Sequence, residues 1–163
     1  MKLFAGASGY SFKEWKGTFY PEDTKPEGML AFYSSRLPTV EINNTFYRMP
    51  GISMLENWKA ITPEAFRFAI KAPRRITHMA RLKAESSADS VGYLYQNLAV
   101  LGEKRGPVLF QLPPNLKKDL PRLQSFLPLR GFAAHSDVAP GRKTDPGTRF
   151  DWPRWLAALA GTP

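Results

Sequence analysis

Thr39-Val40-Glu41-Ile42-Asn43 and Phe66-Arg67-Phe68-Ala69-Ile70-Lys71 decide the fold. Each is a short apolar run of strand length, and residues 52–61 between them have helical spacing. Parallel strands need a crossover of a dozen or more residues, usually a helix. The same alternation recurs outward in both directions. Lys2-Leu3-Phe4-Ala5-Gly6 is a first run, followed by the aromatic loop Gly9-Tyr10-Ser11-Phe12-Lys13-Glu14-Trp15 and a helical segment over residues 27–36. A longer helix fits residues 87–102, where Val91, Leu94, Tyr95, Leu98 and Leu101 share one stripe. Pro107-Val108-Leu109-Phe110-Gln111-Leu112 is the fourth run, stopped by Pro113-Pro114, and a short helix is expected from near Asp119.

Strands alternating with helices predict an α/β fold with a parallel sheet. Four such units are half of an eight-fold barrel, and a full (β/α)₈ barrel takes roughly 250 residues. This chain has 163. The expectation is a partial TIM-barrel-like sheet of about four parallel strands, either open, completed by a partner or truncated. An open sheet exposes unpaired edges, which predicts self-association. From Gly131 the chain changes character and becomes rich in Gly, Pro, Asp and Arg. This irregular tail should end in a short helix over residues 152–160, with Asp151 as N-cap and Pro153 in the first turn.

Composition narrows the class. The chain has 23 Lys and Arg against 14 Asp and Glu, a formal charge of +9, with 43% hydrophobic and 13% aromatic residues. That apolar content excludes a disordered chain. No apolar stretch of about 18 residues occurs, so no membrane span is expected. Zero cysteines exclude a disulfide scaffold, a cysteine zinc site and a thiol nucleophile. The start reaches Ser8, Gly9 and Lys13 too soon for a signal peptide. A basic globular protein of the cytoplasm is the expectation.

In parallel α/β sheets, ligands bind where the strands end at their carboxyl edge. That rule nominates Ser8 and Tyr10 after the first run, Glu41 and Asn43 in the second, Lys71 and Arg74 at the third, and Gln111 in the fourth. A carboxylate, a lysine and amides at one mouth suit acid–base work or phosphate binding. The competing reading is that these groups merely satisfy one another at the strand ends. Residues 71–83 read KAPRRITHMARLK, five cations and a histidine with no acid, which favours an anionic, phosphate-bearing or nucleic-acid ligand. A solvated basic loop is the plainer alternative. Trp15, with Tyr10, Phe12, Phe19 and Tyr20, offers flat faces for stacking. His78 suits a general base, a phosphate contact or a hydrogen-bonded loop histidine. Glu41 and Lys71 are thus the candidate catalytic pair, with Tyr10, Trp15, Asn43, Arg74, His78 and Gln111 as candidate binding residues. In the tail, His135 and Asp145 flank a Pro-Gly turn and can face one metal ion, with Lys143 beside an oxyanion. Two ligands are fewer than the three a catalytic zinc normally takes. No cofactor is named by the sequence.

Two resemblances follow from these stretches. Gly6-Ala7-Ser8-Gly9-Tyr10, Trp15-Lys16-Gly17-Thr18-Phe19-Tyr20-Pro21, residues 39–48, residues 68–78 and Leu109-Phe110-Gln111-Leu112-Pro113-Pro114 occur in the order of the domain-of-unknown-function 72 (YecE-like) family. Residues 1–127 resemble that family, which implies a TIM-barrel-like fold and no settled reaction. Residues 131–163 lack its later motifs and look like the carboxyl end of a zinc-dependent N-acetylmuramoyl-L-alanine amidase. That likeness implies His135 and Asp145 as zinc ligands and Lys143 as the catalytic lysine. The amidases' other zinc-binding histidine and catalytic glutamate lie on strands with no counterpart here. Domains at 1–127 and 128–163, joined as a chimera near residues 126–132, are expected. The functional expectations are an enzyme of the barrel family with Glu41 as base or metal ligand and Lys71 and Arg74 binding anion, a nucleic-acid-binding module without chemistry, a remnant of a cell-wall amidase, or a chain that does not function alone.

Overall fold

The computed structural model describes residues 3–126, so the tail with His135, Asp145 and the expected 152–160 helix lies outside the described residues. The chain divides into two compact units, residues 1–116 and 117–163. In the first, four strands form one sheet in the order β1 (Gly6–Ser8), β2 (Thr39–Ile42), β3 (Arg67–Lys71), β4 (Arg105–Leu109). All three pairings are parallel. Between them lie α1 (Pro26–Arg36), α2 (Ile52–Ile61) and α3 (Ala84–Leu98). In the second unit, α4 (Leu120–Phe126) begins where Asp119 Oδ1 accepts the Arg122 backbone N–H at 3.0 Å. The α/β, partial-barrel expectation holds for the described residues.

A strand order that follows chain order has a specific consequence. Crossovers of parallel units are right-handed in ~98% of cases, so consecutive neighbours place every helix on the same face, as in a barrel. The burial pattern agrees. Val40, Ile42, Phe68 and Ile70 are each 0–3% exposed. Trp58 of α2 stacks on Phe68 at 5.7 Å, and Phe66 meets Phe68 edge-on at 4.9 Å. The alternate residues Thr39, Glu41, Arg67, Ala69 and Lys71 point to the other face and are only partly covered.

Local chemistry sets the boundaries. The first strand is Gly6–Ser8, later than the run at residues 2–6, and Leu3 is exposed. A side chain at Gly6 would meet the Thr39 carbonyl oxygen at 1.9 Å, so only glycine lets β1 and β2 approach here. Tyr33 of α1 fixes that junction, its hydroxyl accepting the Ala7 N–H at 2.7 Å and donating to the Thr39 carbonyl at 2.9 Å. The stripe on α3 is Leu94 and Leu98, both buried, with Asn97, whose amide donates to the Pro50 carbonyl at 2.8 Å. Tyr95 is exposed rather than central to it. The helix ends at Leu98 because a tighter 3₁₀ segment, Ala99–Lys104, kinks at Gly102 with φ 56°. Lys104, itself buried, ties this segment to the end of α2, donating to the carbonyls of Lys59 and Thr62 at 2.7 Å each. A cation at the carbonyl end of a helix complements the unpaired carbonyls there.

Candidate functional site at the strand tips

Ser8 and Glu41 are register partners on neighbouring strands, so their side chains share a face. The Ser8 hydroxyl donates to Glu41 Oε1 at 3.0 Å, and the Asn43 amide donates to Ser8 Oγ at 2.7 Å. This chain of bonds is open to solvent and joins the tips of β1 and β2. Glu41 pairs with Ala69, two residues before Lys71, so Glu41 and Lys71 are diagonal neighbours on that same face. Lys71 in turn pairs with Leu109 of β4, and Gln111 lies two residues beyond it. Thr45 Oγ1 sits between the carbonyls of Ile42 and Lys71, at 2.9 and 2.7 Å, and holds the turn after β2 against the end of β3.

Phe46, in the 3₁₀ turn Asn44–Phe46, links the next residues. Lys71 Nζ lies 5.2 Å from its ring centre. The imidazole of His78 meets it edge-on at 4.9 Å, and Tyr47 does so at 5.2 Å. His78 is carried by a single π-helical turn, Arg75–Met79, closed by the Ala80 N–H on the Arg75 carbonyl at 2.9 Å. Such wide turns recur at functional sites. Burial pushes the His78 pKa below its usual value, and the nearby positive charges of Lys71 and Arg81 add to the effect. His78 Nδ1 also lies 2.9 Å from Thr77 Oγ1. The chain then runs through two left-handed residues, Arg81 (φ 52°) and Leu82 (φ 57°). Each costs roughly 1–2 kcal/mol for a residue with a Cβ. The buried Leu82 side chain and an Arg81 bond to Asn115 Oδ1 at 2.6 Å hold them there. Arg74 is exposed and, among the described residues, its side chain makes no hydrogen bond or ion pair.

The two aromatic candidates are engaged elsewhere. Tyr10 packs against the Tyr33 ring at 6.4 Å. Burial raises its hydroxyl pKa, outweighing a hydrogen bond with Trp58. Trp15 belongs to an aromatic layer with Phe12 (4.6 Å), Phe19 (5.5 Å) and Tyr20 (6.1 Å). It lines a shallow apolar groove with Thr18, Phe19 and Leu37. Thr45, Phe46 and Tyr47 stand in the sequence only within the 39–48 motif, and Arg81 only within the basic run 71–83, none of them as a site residue. The visible signal for the first three is Thr45-Phe46-Tyr47-Arg48, an aromatic pair directly after a strand tip.

Among the described residues, no group of three or more His, Asp or Glu side chains could hold a metal ion.

The family model described as "Protein of unknown function DUF72" matches residues 4–139. The UPF0759 protein YunF of Bacillus subtilis is 30% identical over 118 residues, 69% of this chain and 40% of YunF. The UPF0759 protein YecE of Escherichia coli K12 is 31% identical over 96 residues, 58% of this chain and 35% of YecE. The chain thus spans well under half the length of these relatives. A DUF72 family protein from Thermotoga maritima superposes with a TM-score of 0.60 at 26% identity, over 77% of this chain and 52% of that one. A second, from Enterococcus faecalis, gives 0.53 at 25% identity over 63% and 43%. A separate short match of 26 residues, 62% identical, is to the 1,6-anhydro-N-acetylmuramyl-L-alanine amidase AmpD of Salmonella typhimurium, covering 16% of this chain and 14% of AmpD. The sheet of four consecutive parallel strands, its solved neighbours and a family match over most of the length agree: this chain belongs to the DUF72 family.

Proposed function

We propose that the strand tips form a binding site for a phosphate-bearing ligand, nucleic acid included. In this reading Lys71 and Arg74 hold the anion, Asn43, His78 and Gln111 complete the rim, and Glu41 is the carboxylate able to take a proton from what binds. Tyr10 and Trp15, whose rings pack on Tyr33 and on Phe12, Phe19 and Tyr20, are read as further binding residues beside this rim. The observation that carries the reading is the common face shared by Ser8, Glu41 and Lys71, with the Asn43–Ser8–Glu41 hydrogen bonds at 2.7 and 3.0 Å. Cations on a shared edge raise the local concentration of anions, and hydrogen bonds to charged groups contribute about 1.5–3 kcal/mol each. Calorimetric titration of the full chain with inorganic pyrophosphate tests it. Saturable binding that weakens about tenfold or more in Lys71→Ala or Arg74→Ala is the expected result. Absent binding, or binding by both variants as tight as by the unaltered chain, overturns the reading.

The same reading includes self-association through the sheet edges, since β1 and β4 each pair with one strand among the described residues. Sedimentation at micromolar concentration should give a dimer or larger species, and a monomer would contradict it. A cysteine-free chain needs no oxidising compartment, and we place it in the cytoplasm, which cell fractionation checks. Residues 128–163 are read as a separate amidase-like segment following the 1–127 barrel domain, supported by the 26-residue match to AmpD. With His135 and Asp145 alone as ligands, the purified chain should carry less than stoichiometric zinc. A full equivalent of zinc would restore the amidase reading.

A further inference from the structure

The surroundings of Phe46 carry the reading of the site further. Tyr47 is 73% exposed, and its ring meets Phe46 edge-on at 5.2 Å with an interplanar angle of 89°. Phe46 sits next to Thr45, whose hydroxyl is buried between two strand-end carbonyls, so the turn presenting both rings is anchored to the sheet. Single exposed aromatic residues are ordinary on protein surfaces. What sets Tyr47 apart is that the ring supporting it also contacts Lys71 and His78. Arg48 follows Tyr47 directly, Arg74 and Arg75 lie between Lys71 and His78, all three are exposed, and no acid occurs between residues 71 and 83. An exposed flat face on an anchored turn, beside a concentration of positive charge, is the pairing that takes an unpaired base and its phosphate, because every base has a π-face and every phosphate a charge.

We infer, resting on the anion site proposed above, that the ligand is an unpaired nucleotide whose base stacks on Tyr47 while Lys71 and Arg74 hold its phosphate. The nucleotide is either free or part of a single strand, and duplex is excluded because its bases are already stacked on one another. The exposed position of Tyr47 means that its replacement leaves the core intact.

Fluorescence anisotropy with a labelled ten-nucleotide oligothymidylate, competed by thymidine monophosphate, by a duplex of equal length and by inorganic pyrophosphate, tests this on the full chain. Tyr47→Ala should weaken the oligonucleotide about tenfold, the loss of one stacked base, and leave pyrophosphate competition unchanged. Tyr47→Phe, which keeps the ring, should bind as the unaltered chain does. Competition by the monophosphate at comparable concentration marks a free nucleotide as the ligand. Competition by the oligomer alone marks a strand, and either supports the inference. Oligonucleotide affinity unchanged in Tyr47→Ala, or duplex bound as tightly as single strand, overturns it while the anion site stands. Failure of the unaltered chain to bind pyrophosphate overturns both.

Discussion

The two faces of the sheet in residues 1–116 are built from the same strands and differ in almost every physical respect. On one, Val40, Ile42, Phe68 and Ile70 are closed off from water beneath the helices. On the other, Glu41, Arg67 and Lys71 are partly covered, and polar bonds run between strand tips. Alternation with period two makes this division unavoidable once the register is set, because each residue's neighbours in sequence go to the opposite face. The comparison teaches that buried packing and the polar groups of the strand tips can be changed separately here, residue by residue along a single strand.

Breaking the covered face should have the largest effect. Phe68→Ala removes a fully buried ring between Phe66 and Trp58 and should cost about 3–5 kcal/mol in a urea unfolding curve. A loss under 1 kcal/mol would mean that the core is elsewhere. Lys104→Met should cost roughly 1–3 kcal/mol, because the carbonyls of Lys59 and Thr62 lose their donor at a buried position. The exposed Glu64 carboxylate, 4.0 Å away, contributes little to that figure. Burial, helped by the neighbouring Tyr33 and Tyr10, pushes the Tyr20 hydroxyl up to about 12 from 10.0. Above pH 10 the unfolded chain ionises this group first, so stability present below pH 10 is lost as the pH rises toward 12. Tyr20→Phe should flatten that alkaline loss, measured as the unfolding midpoint against pH. The smallest stability effect is expected on the open face. Glu41→Gln keeps an oxygen to accept from Ser8 and should change the unfolding free energy by no more than about 0.5 kcal/mol. A large shift would make Glu41 a structural residue instead of a site residue.

The elements on the covered face were the legible ones. Residues 52–61 emerge as α2 at the boundaries read from spacing, and β2 and β3 match their apolar runs within a residue. β1 was displaced because its position depends on a non-local contact, the close approach of Gly6 to Thr39, that no local pattern encodes. The strand-end rule locates Glu41, Asn43 and Lys71 at the strand tips, where the register and the Asn43–Ser8 bond put them. It did not find Phe46, whose importance lies in touching Lys71 and His78, residues more than twenty positions away. Nor is a π-turn followed by two left-handed residues readable from KAPRRITHMARLK, which contains no glycine to announce it. Apolar periodicity reports burial, and the open face is defined by contacts that periodicity does not carry.

The salt dependence of oligothymidylate binding tests the central claim most directly. Each phosphate neutralised contributes about 0.7 to the slope of log affinity against log salt for a single strand. Replacing Lys71 and Arg74 together by alanine should therefore reduce the steepness by roughly 1.4 and weaken binding at low salt. An unchanged slope and affinity in that double variant would contradict the assignment of the strand tips as the anion site.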